Sequence, residues 1–75
     1  KRNKEQFDYI FCDPPFPYNF HKELIETVCD FNALKETGTL MIHRPSEKKL
    51  PDTIKNLKRV DQRVFGRSIV DFYKF

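Results

Sequence analysis

The feature that most constrains the fold is a short apolar run that two prolines end. Phe7 to Cys12 is rich in aromatic and β-branched residues, and Asp13-Pro14-Pro15 follows it directly. A run of this length and composition predicts a strand that is buried on both faces. Because proline has no backbone N–H to donate to a ladder, the strand is predicted to end at Cys12.

An amphipathic segment and a second apolar run follow. With Asn19 as the predicted N-cap, apolar residues recur at helical spacing, which predicts a helix from Phe20 to Leu34 of about four turns. Lys35-Glu36-Thr37-Gly38 is predicted to end this helix. Thr39 to His43 is then a second strand. The order is strand, helix, strand.

This order predicts where ligands bind. Two strands joined through one helix are expected to be parallel, with a right-handed crossover. In open parallel sheets, ligands bind beyond the carboxyl ends of the strands. The first strand is followed by Asp13-Pro14-Pro15-Phe16, and the second strand ends at His43-Arg44. Both segments are therefore expected on the side where chemistry occurs.

The rest of the chain predicts a hairpin. Asp52 to Leu57 is predicted as a short helix. Leu57 to Phe65 and Ser68 to Phe75 are strand-like, and only Gly66-Arg67 separates them. A two-residue loop with glycine first predicts a β-hairpin of type II′. The predicted fold class is therefore α/β, a parallel strand–helix–strand unit followed by an antiparallel β-hairpin.

Composition and charge exclude several classes of protein. The chain is 39% apolar and 33% charged, as in a globular protein, and no stretch approaches the roughly 18 apolar residues of a membrane span. Its two cysteines are too few for a stapled secreted scaffold, which predicts a soluble, cytoplasmic protein. Residues 1–43 carry a net charge of −2 and residues 44–75 a net charge of +5. The basic half is a weak indication of a polyanionic partner.

Basic and metal-ligating side chains leave alternatives open. Seven basic residues of the second half can bind RNA phosphates, or they can simply keep an exposed hairpin soluble. They are Lys48, Lys49, Lys55, Lys58, Arg59, Arg63 and Arg67. The cysteines and histidines match no zinc-binding spacing, so no metal site is predicted. His43 is expected to be a structural or rim residue.

Asp13-Pro14-Pro15-Phe16 has the strongest chemical implication. Two prolines stiffen the loop and fix the direction of the Asp13 side chain and the Pro14 carbonyl. Both groups accept hydrogen bonds. They can hold the exocyclic amino group of a nucleobase in line with a methyl donor and stabilise the positive charge that develops on nitrogen. Phe16 can stack on the base. The alternative is an Asx-Pro turn that only leads the chain out of the strand.

The same residues carry a resemblance to a known family. Phe7 to Phe16 resembles the strand-four catalytic motif of S-adenosylmethionine-dependent amino methyltransferases. More narrowly, the chain is similar to the bacterial 16S ribosomal RNA guanine-N2 methyltransferases, also at Leu34 to Gly38, at Leu50-Pro51 and in the closing hairpin from Arg63 to Tyr73. This resemblance implies a Rossmann-like class I methyltransferase sheet, of which this chain supplies the last four strands and their helices.

The resemblance also implies site residues, a cofactor and a partner. Asp13 and Pro14 would contact both the target amino group and the methyl group of S-adenosylmethionine. Pro15 would shape the catalytic loop, Phe16 would stack on the guanine, and Tyr18 would be a second base contact. The partner would be ribosomal RNA or the small ribosomal subunit.

Two features depart from the pattern of the family. The glycine-rich loop and the acidic residue that bind the donor lie on earlier strands and have no counterpart here. His43-Arg44 stands where relatives often carry an acidic residue. Residues 1–75 are therefore expected to be the C-terminal part of a single methyltransferase domain, and the upstream donor-binding part is absent from this chain.

A fragment of this kind has expected properties of its own. It is predicted to self-associate through the unpaired edge of Phe7 to Cys12 or through an exposed apolar face, and to bind S-adenosylmethionine weakly or not at all. Two other functions stay open. One is a DNA adenine-N6 methyltransferase, which would use the same tetrapeptide on a flipped base. The other is a basic RNA-binding module without catalysis.

Overall fold

A computed structural model describes residues 5–15 and 19–75. In this part of the chain, one helix packs against one five-stranded sheet. The elements are β1 (Phe7–Cys12), α1 (His21–Asp30), β2 (Leu34–Pro45), β3 (Thr53–Ile54), β4 (Leu57–Phe65) and β5 (Ser68–Lys74). The strand order in the sheet is β1-β2-β5-β4-β3.

The pairing of the strands confirms the predicted fold class. β1 and β2 are parallel, and α1 connects them. β2 pairs with β5, and β5 with β4, in antiparallel orientation. Because β5 lies between β2 and β4, the hairpin extends the sheet on the side of β2 away from β1.

The helix is shorter than predicted. It begins at His21 after Phe20 as N-cap, with no capping hydrogen bond from a side chain, so the prediction of Asn19 as N-cap is wrong. It ends at Asp30 because Asn32 adopts a positive φ of 55°, which turns the chain out of the helix. Phe31 is exposed and does not extend the apolar face of the helix.

The second strand is correspondingly longer. The segment predicted to end the helix, Lys35 to Gly38, belongs to β2, which runs on to Pro45. Pairing with β1 accounts for the extension, since Leu34 lies opposite Phe7 and Thr39 lies opposite Tyr9, with an irregularity in register between them. This tertiary pairing overrides the local helix-end pattern.

Asp52 to Leu57 is not a helix. The segment forms β3 and a two-residue turn, after which Leu57 pairs with Ile54. Lys55 in that turn has a φ of 55°. The positive φ suits a tight hairpin turn and excludes a helix at this position.

The predicted hairpin is confirmed. Phe65 and Ser68 are paired, so Gly66 and Arg67 form a two-residue loop. Gly66 has a φ of 61°, and Arg67 is not among the residues with positive φ. A positive φ at the first loop position alone is the pattern of a type II′ turn.

The core lies on one face of the sheet, beneath α1 and the chain that leads into β3. Ile25 of the helix, Leu40 and Ile42 of β2, and Tyr73 of β5 are completely buried there. The remaining members of this cluster are Cys12, Leu34, Leu50, Ile54 and Leu57. Alternation along β2 buries Leu40 and Ile42, and the intervening Met41 points to the opposite face.

That opposite face is open in the described part of the chain. We call the residues Tyr9, Phe11, Met41, Val70 and Phe72 the open face, since strand alternation and register place them together. Tyr9 is 72% exposed and Phe11 is 57% exposed. The prediction that Phe7–Cys12 is buried on both faces is therefore wrong here, because the strand lies at the sheet edge and α1 covers only one side. No helix of the described ranges is long and apolar enough to cross a membrane.

Candidate active site

The register of β1 and β2 brings two polar side chains together at the carboxyl edge of the sheet. Cys12 and Ile42 are parallel partners, and both point into the core. Asp13 and His43 are the next residues along their strands, so both point to the opposite face. Asp13 lies directly after β1, whereas His43 and Arg44 lie within β2, which runs on to Pro45, so the prediction that the second strand ends at His43 is wrong.

Asp13 and His43 contact each other directly. The Nδ1 atom of His43 lies 2.9 Å from Oδ1 of Asp13. The Asp13 side chain is 58% exposed and that of His43 is 28% exposed. An ionised carboxylate has about four lone-pair positions for hydrogen bonds. Asp13 can therefore accept further hydrogen bonds from a ligand while it contacts His43.

The residues that follow Asp13 are described only in part. Pro14 is half-buried and Pro15 is exposed, and both lie in an irregular segment directly after β1. The Pro14 carbonyl is thus at the same edge as the Asp13 carboxylate. Phe16 and Tyr18 lie outside the described residues, so their base contacts stay predictions.

Two loops at this edge are joined by a polar contact that the sequence did not reveal. The Lys48 ammonium, in the loop after β2, donates to Oδ1 of Asn19, in the segment before α1. Asn19 was predicted to cap the helix, and its side chain instead holds the neighbouring loop. This contact ties the segment after Asp13-Pro14-Pro15 to the chain that leaves β2.

Arg44 and Asp71 form a buried pair that the sequence did not predict. Arg44 was expected beside His43 at the ligand-binding edge, but it points into the core. Arg44 is only 3% exposed, and its Nε atom lies 2.5 Å from Oδ2 of Asp71. It also donates from Nη1 to the Lys48 carbonyl at 2.6 Å. The available signal was strand alternation, which places Arg44 on the same face as buried Leu40 and Ile42. The pair holds the loop that carries Lys48 against the sheet.

A second arginine reinforces this loop. Nε of Arg59 lies 3.1 Å from Oδ1 of Asp71, and its Nη2 donates to the Leu50 carbonyl at 2.7 Å. The Tyr73 hydroxyl donates to the Pro51 carbonyl at 2.7 Å. Burial raises the pKa of this tyrosine. Three carbonyls of the loop, at residues 48, 50 and 51, are therefore held by side chains of the sheet.

The predicted basic residues do not form one surface. Arg59 is engaged with carboxylates and a carbonyl, and Lys48 is half-buried beside Asn19. Lys55 lies 3.3 Å from a carboxylate of Asp30. The exposed members are Lys49, Lys55, Lys58, Arg63 and Arg67. Of the seven candidates, Arg59 is the one whose charge is already paired in the interior of the fold.

The cysteines are both free thiols. Cys12 is buried and Cys29 is half-buried against the core. Burial raises the pKa of both thiols, and the neighbouring carboxylate of Asp30 adds to the effect at Cys29. Raised pKa values disfavour the thiolate, which is the nucleophilic and metal-binding form. Within the described residues, His, Cys, Asp and Glu side chains form no group of three that could hold a metal ion.

Comparison with known proteins places the chain in a family. The model of the family described as Conserved hypothetical protein 95 matches residues 1–74. The chain belongs to this family.

Two curated relatives of this chain are methyltransferases by name. It is 33% identical over 49 residues to "Ribosomal RNA small subunit methyltransferase D" of Haemophilus influenzae, a match that covers 65% of this chain and 25% of that protein. It is 29% identical over 68 residues to YlbH of Bacillus subtilis, whose name assigns it provisionally to the rRNA methyltransferases. That match covers 91% of this chain and 37% of the relative. The chain thus spans about a quarter to two fifths of these relatives.

A solved structure gives the same result for the fold. A conserved hypothetical protein of Streptococcus pyogenes superposes with a TM-score of 0.86 at 26% sequence identity. The alignment covers 96% of this chain and 45% of the other. The matches to relatives and to this structure confirm the predicted family and the predicted methyltransferase-type sheet.

Proposed function

We propose that this chain carries the catalytic loop of an S-adenosylmethionine-dependent methyltransferase that acts on the exocyclic N2 amino group of a guanine in small-subunit ribosomal RNA. The observation that carries the proposal is the half-exposed Asp13 carboxylate at the carboxyl end of a parallel strand, directly before Pro14 and Pro15. The names of the curated relatives support the choice of ribosomal RNA.

The methyl donor supplies an electrophilic methyl group bonded to a sulfonium. The chain's own residues address the other partner, because an exocyclic nitrogen is a weak nucleophile whose lone pair is delocalised into the ring. The Asp13 carboxylate and the Pro14 carbonyl each accept one N–H of the target amino group. Two such contacts orient the lone pair toward the methyl carbon.

The same contacts lower the barrier electrostatically. The nitrogen forms a bond to the methyl carbon as the carbon–sulfur bond breaks, so positive charge passes from sulfur to nitrogen. A fixed carboxylate beside that nitrogen stabilises the charge as it develops. The extra proton then leaves to water, which reaches this exposed edge. Asp13 acts by orientation and charge and does not have to be a base.

The chain fits only part of a donor site. We propose that Asp13 and Pro14 contact the methyl end of S-adenosylmethionine, but the 75 residues contain two glycines, Gly38 and Gly66, and no glycine-rich loop. We propose that residues 1–75 are the C-terminal part of one methyltransferase domain. The share of its relatives that the chain spans supports this proposal.

The test is single-turnover methylation of ribosome-associated RNA by the intact protein, with N2-methylguanosine measured by mass spectrometry. Asp13→Ala should lower the rate by about 10²–10³ and leave donor affinity nearly unchanged. Asp8→Ala is the matched control, since Asp8 is 63% exposed on the same strand and its carboxylate lies 3.5 Å from the Lys35 ammonium. A rate for Asp13→Ala within threefold of wild type would rule out the role.

Product analysis separates the other functions. Methylation of adenine N6 in DNA by the wild-type protein, without methylated guanosine in RNA, would identify a DNA methyltransferase. RNA binding without transfer to either nucleic acid would identify a binding module. Either result would refute the proposal.

A further inference from the structure

We propose that His43 is a positioning residue for Asp13, and that its ring N–H fixes the direction of the carboxylate that supports methyl transfer. This inference rests on the proposed function and adds a positioning residue to it. The carrying observation is the 2.9 Å contact between Nδ1 of His43 and Oδ1 of Asp13.

The chemistry of the pair fixes the direction of the hydrogen bond. An ionised carboxylate can only accept, so Nδ1 of His43 must carry the proton and donate it to Asp13. The contact uses one lone pair of the carboxylate and leaves the other positions for the N–H of a target amino group.

Asp13 needs such a partner because the backbone alone does not fix its carboxylate. Pro14 restricts the backbone after the aspartate, but the Asp13 side chain is 58% exposed and is free to rotate without a contact. His43 is 28% exposed and sits on a central strand between β1 and β5. The more buried His43 thus holds the more exposed Asp13.

A fixed carboxylate supports methyl transfer better than one that rotates. The target amino group needs a hydrogen-bond acceptor in one direction, and a rotating side chain offers that acceptor for only part of the time. The His43 N–H holds the Asp13 carboxylate in one orientation, so its negative charge stays beside the nitrogen on which positive charge develops.

The other groups on this face do not replace the pair. From β1, Asp13 is the carboxylate in contact with His43. β5 contributes uncharged Val70 and Phe72, opposite His43 and Met41. β4 contributes Arg63 and Asp61, which lie 3.4 Å apart and pair with each other. α1 packs on the opposite face. At this edge, Asp13 and His43 are therefore the two ionisable side chains that contact each other.

The experiment measures single-turnover methylation in the intact protein at pH 8. His43→Leu removes the donor and should lower the rate about tenfold, with little change in the KM for RNA. His43→Asn should recover most of this loss, since its amide can donate from nearly the position of Nδ1. Leu and Asn are similar in size, so a difference between the two variants reports the hydrogen bond and not the packing.

A second readout needs no RNA. In NMR spectra, the Nδ1 proton of His43 should give a hydrogen-bonded signal in wild type and lose it in Asp13→Ala, because the carboxylate is its acceptor. The same signal in both proteins would overturn the pairing even if the enzyme is active.

The outcomes separate the two proposals. Wild-type protein without transfer to RNA would overturn the proposed function and the role of His43 with it. Active wild-type protein whose Leu variant keeps the full rate would overturn the role of His43 alone. An Asn variant as slow as the Leu variant would also overturn it, because the ring itself would then matter.

Discussion

Arg44 and Asp71 form an ion pair that is sealed from solvent, with 2.5 Å between Nε and Oδ2 and side-chain exposures of 3% and 0%. Asp71 also accepts a hydrogen bond from the Gln62 amide at 2.8 Å. Arg44 directly follows His43 in β2, and Asp71 lies opposite Ile42 in β5. The pair therefore links the strand that carries His43 to the hairpin.

Removing one member of this pair should destabilise the fold strongly. Asp71→Asn should lower the free energy of unfolding by about 3–5 kcal/mol, because Arg44 is left buried without its counter-charge. Urea denaturation of the intact protein measures this change. Asp61→Asn is the control, since its pair with Arg63 is exposed and should contribute less than about 1 kcal/mol. If Asp71→Asn is too unstable to purify, Arg44→Met combined with Asp71→Leu should restore folding. A loss below about 1 kcal/mol for Asp71→Asn would contradict the prediction.

The two glycines should respond to alanine for different reasons. A Cβ atom at Gly38 would lie 2.9 Å from the Asp8 carbonyl oxygen and 2.7 Å from Leu34 Cδ1, so β1 and β2 would have to move apart. Gly38→Ala should therefore cost about 1–3 kcal/mol. At Gly66 nothing lies within 4 Å, and only the positive φ opposes alanine, at about 1 kcal/mol. Thermal unfolding of both variants tests the order, and a larger loss for Gly66→Ala would contradict it.

Acid should destabilise the protein through His21. Burial lowers the pKa of this histidine, and the nearby positive charges of Lys48 and Arg44 lower it further. The folded protein then binds fewer protons than the unfolded chain, so stability falls as the pH drops below about 6.5, the value for an unperturbed histidine. Denaturation of wild type and His21→Gln at pH 7.5 and 5.5 measures the effect. The wild type should lose more stability than the variant, and equal losses would show that other groups are responsible.

Phe16 has a role that stays a prediction. If its ring stacks on the target base, Phe16→Ala should weaken the use of RNA by about 1–3 kcal/mol, whereas Phe16→Tyr should have little effect. Methylation rates per folded molecule, together with melting temperatures, test this. Equal falls in melting temperature with unchanged activity would show that the ring only packs.

The 75-residue chain should associate with a second copy of itself. In the part of the chain that the structure describes, β1 lies at the end of the sheet with one side of its backbone unpaired, and Tyr9 and Phe11 are exposed beside that edge. Unpaired edges and apolar patches favour association. Sedimentation across a range of concentrations measures it, and Phe11→Lys should weaken it. A monomer at all concentrations that binds S-adenosylmethionine at micromolar levels would contradict the prediction.

The residue pattern alone is enough to predict the local elements around Asp13-Pro14-Pro15. Aromatic and β-branched residues specify β1, and two prolines without N–H groups end it before Asp13. Gly66 specifies the turn of the hairpin, since its positive φ costs glycine little. These features depend on neighbours in the chain, so they can be recognised without knowledge of the fold. The family resemblance came from the same local strings.

The contacts between these elements depend on the tertiary structure. Asp13 and His43 are 30 residues apart, and Arg44 and Asp71 are 27 apart. Which residues meet over such distances depends on strand register, and a shift of one residue would turn every side chain to the other face. The same reason explains why β2 extends back to Leu34 against the helical pattern, and why Tyr9 and Phe11 stay exposed. Local propensity is outweighed where pairing with a neighbouring strand satisfies more backbone hydrogen bonds.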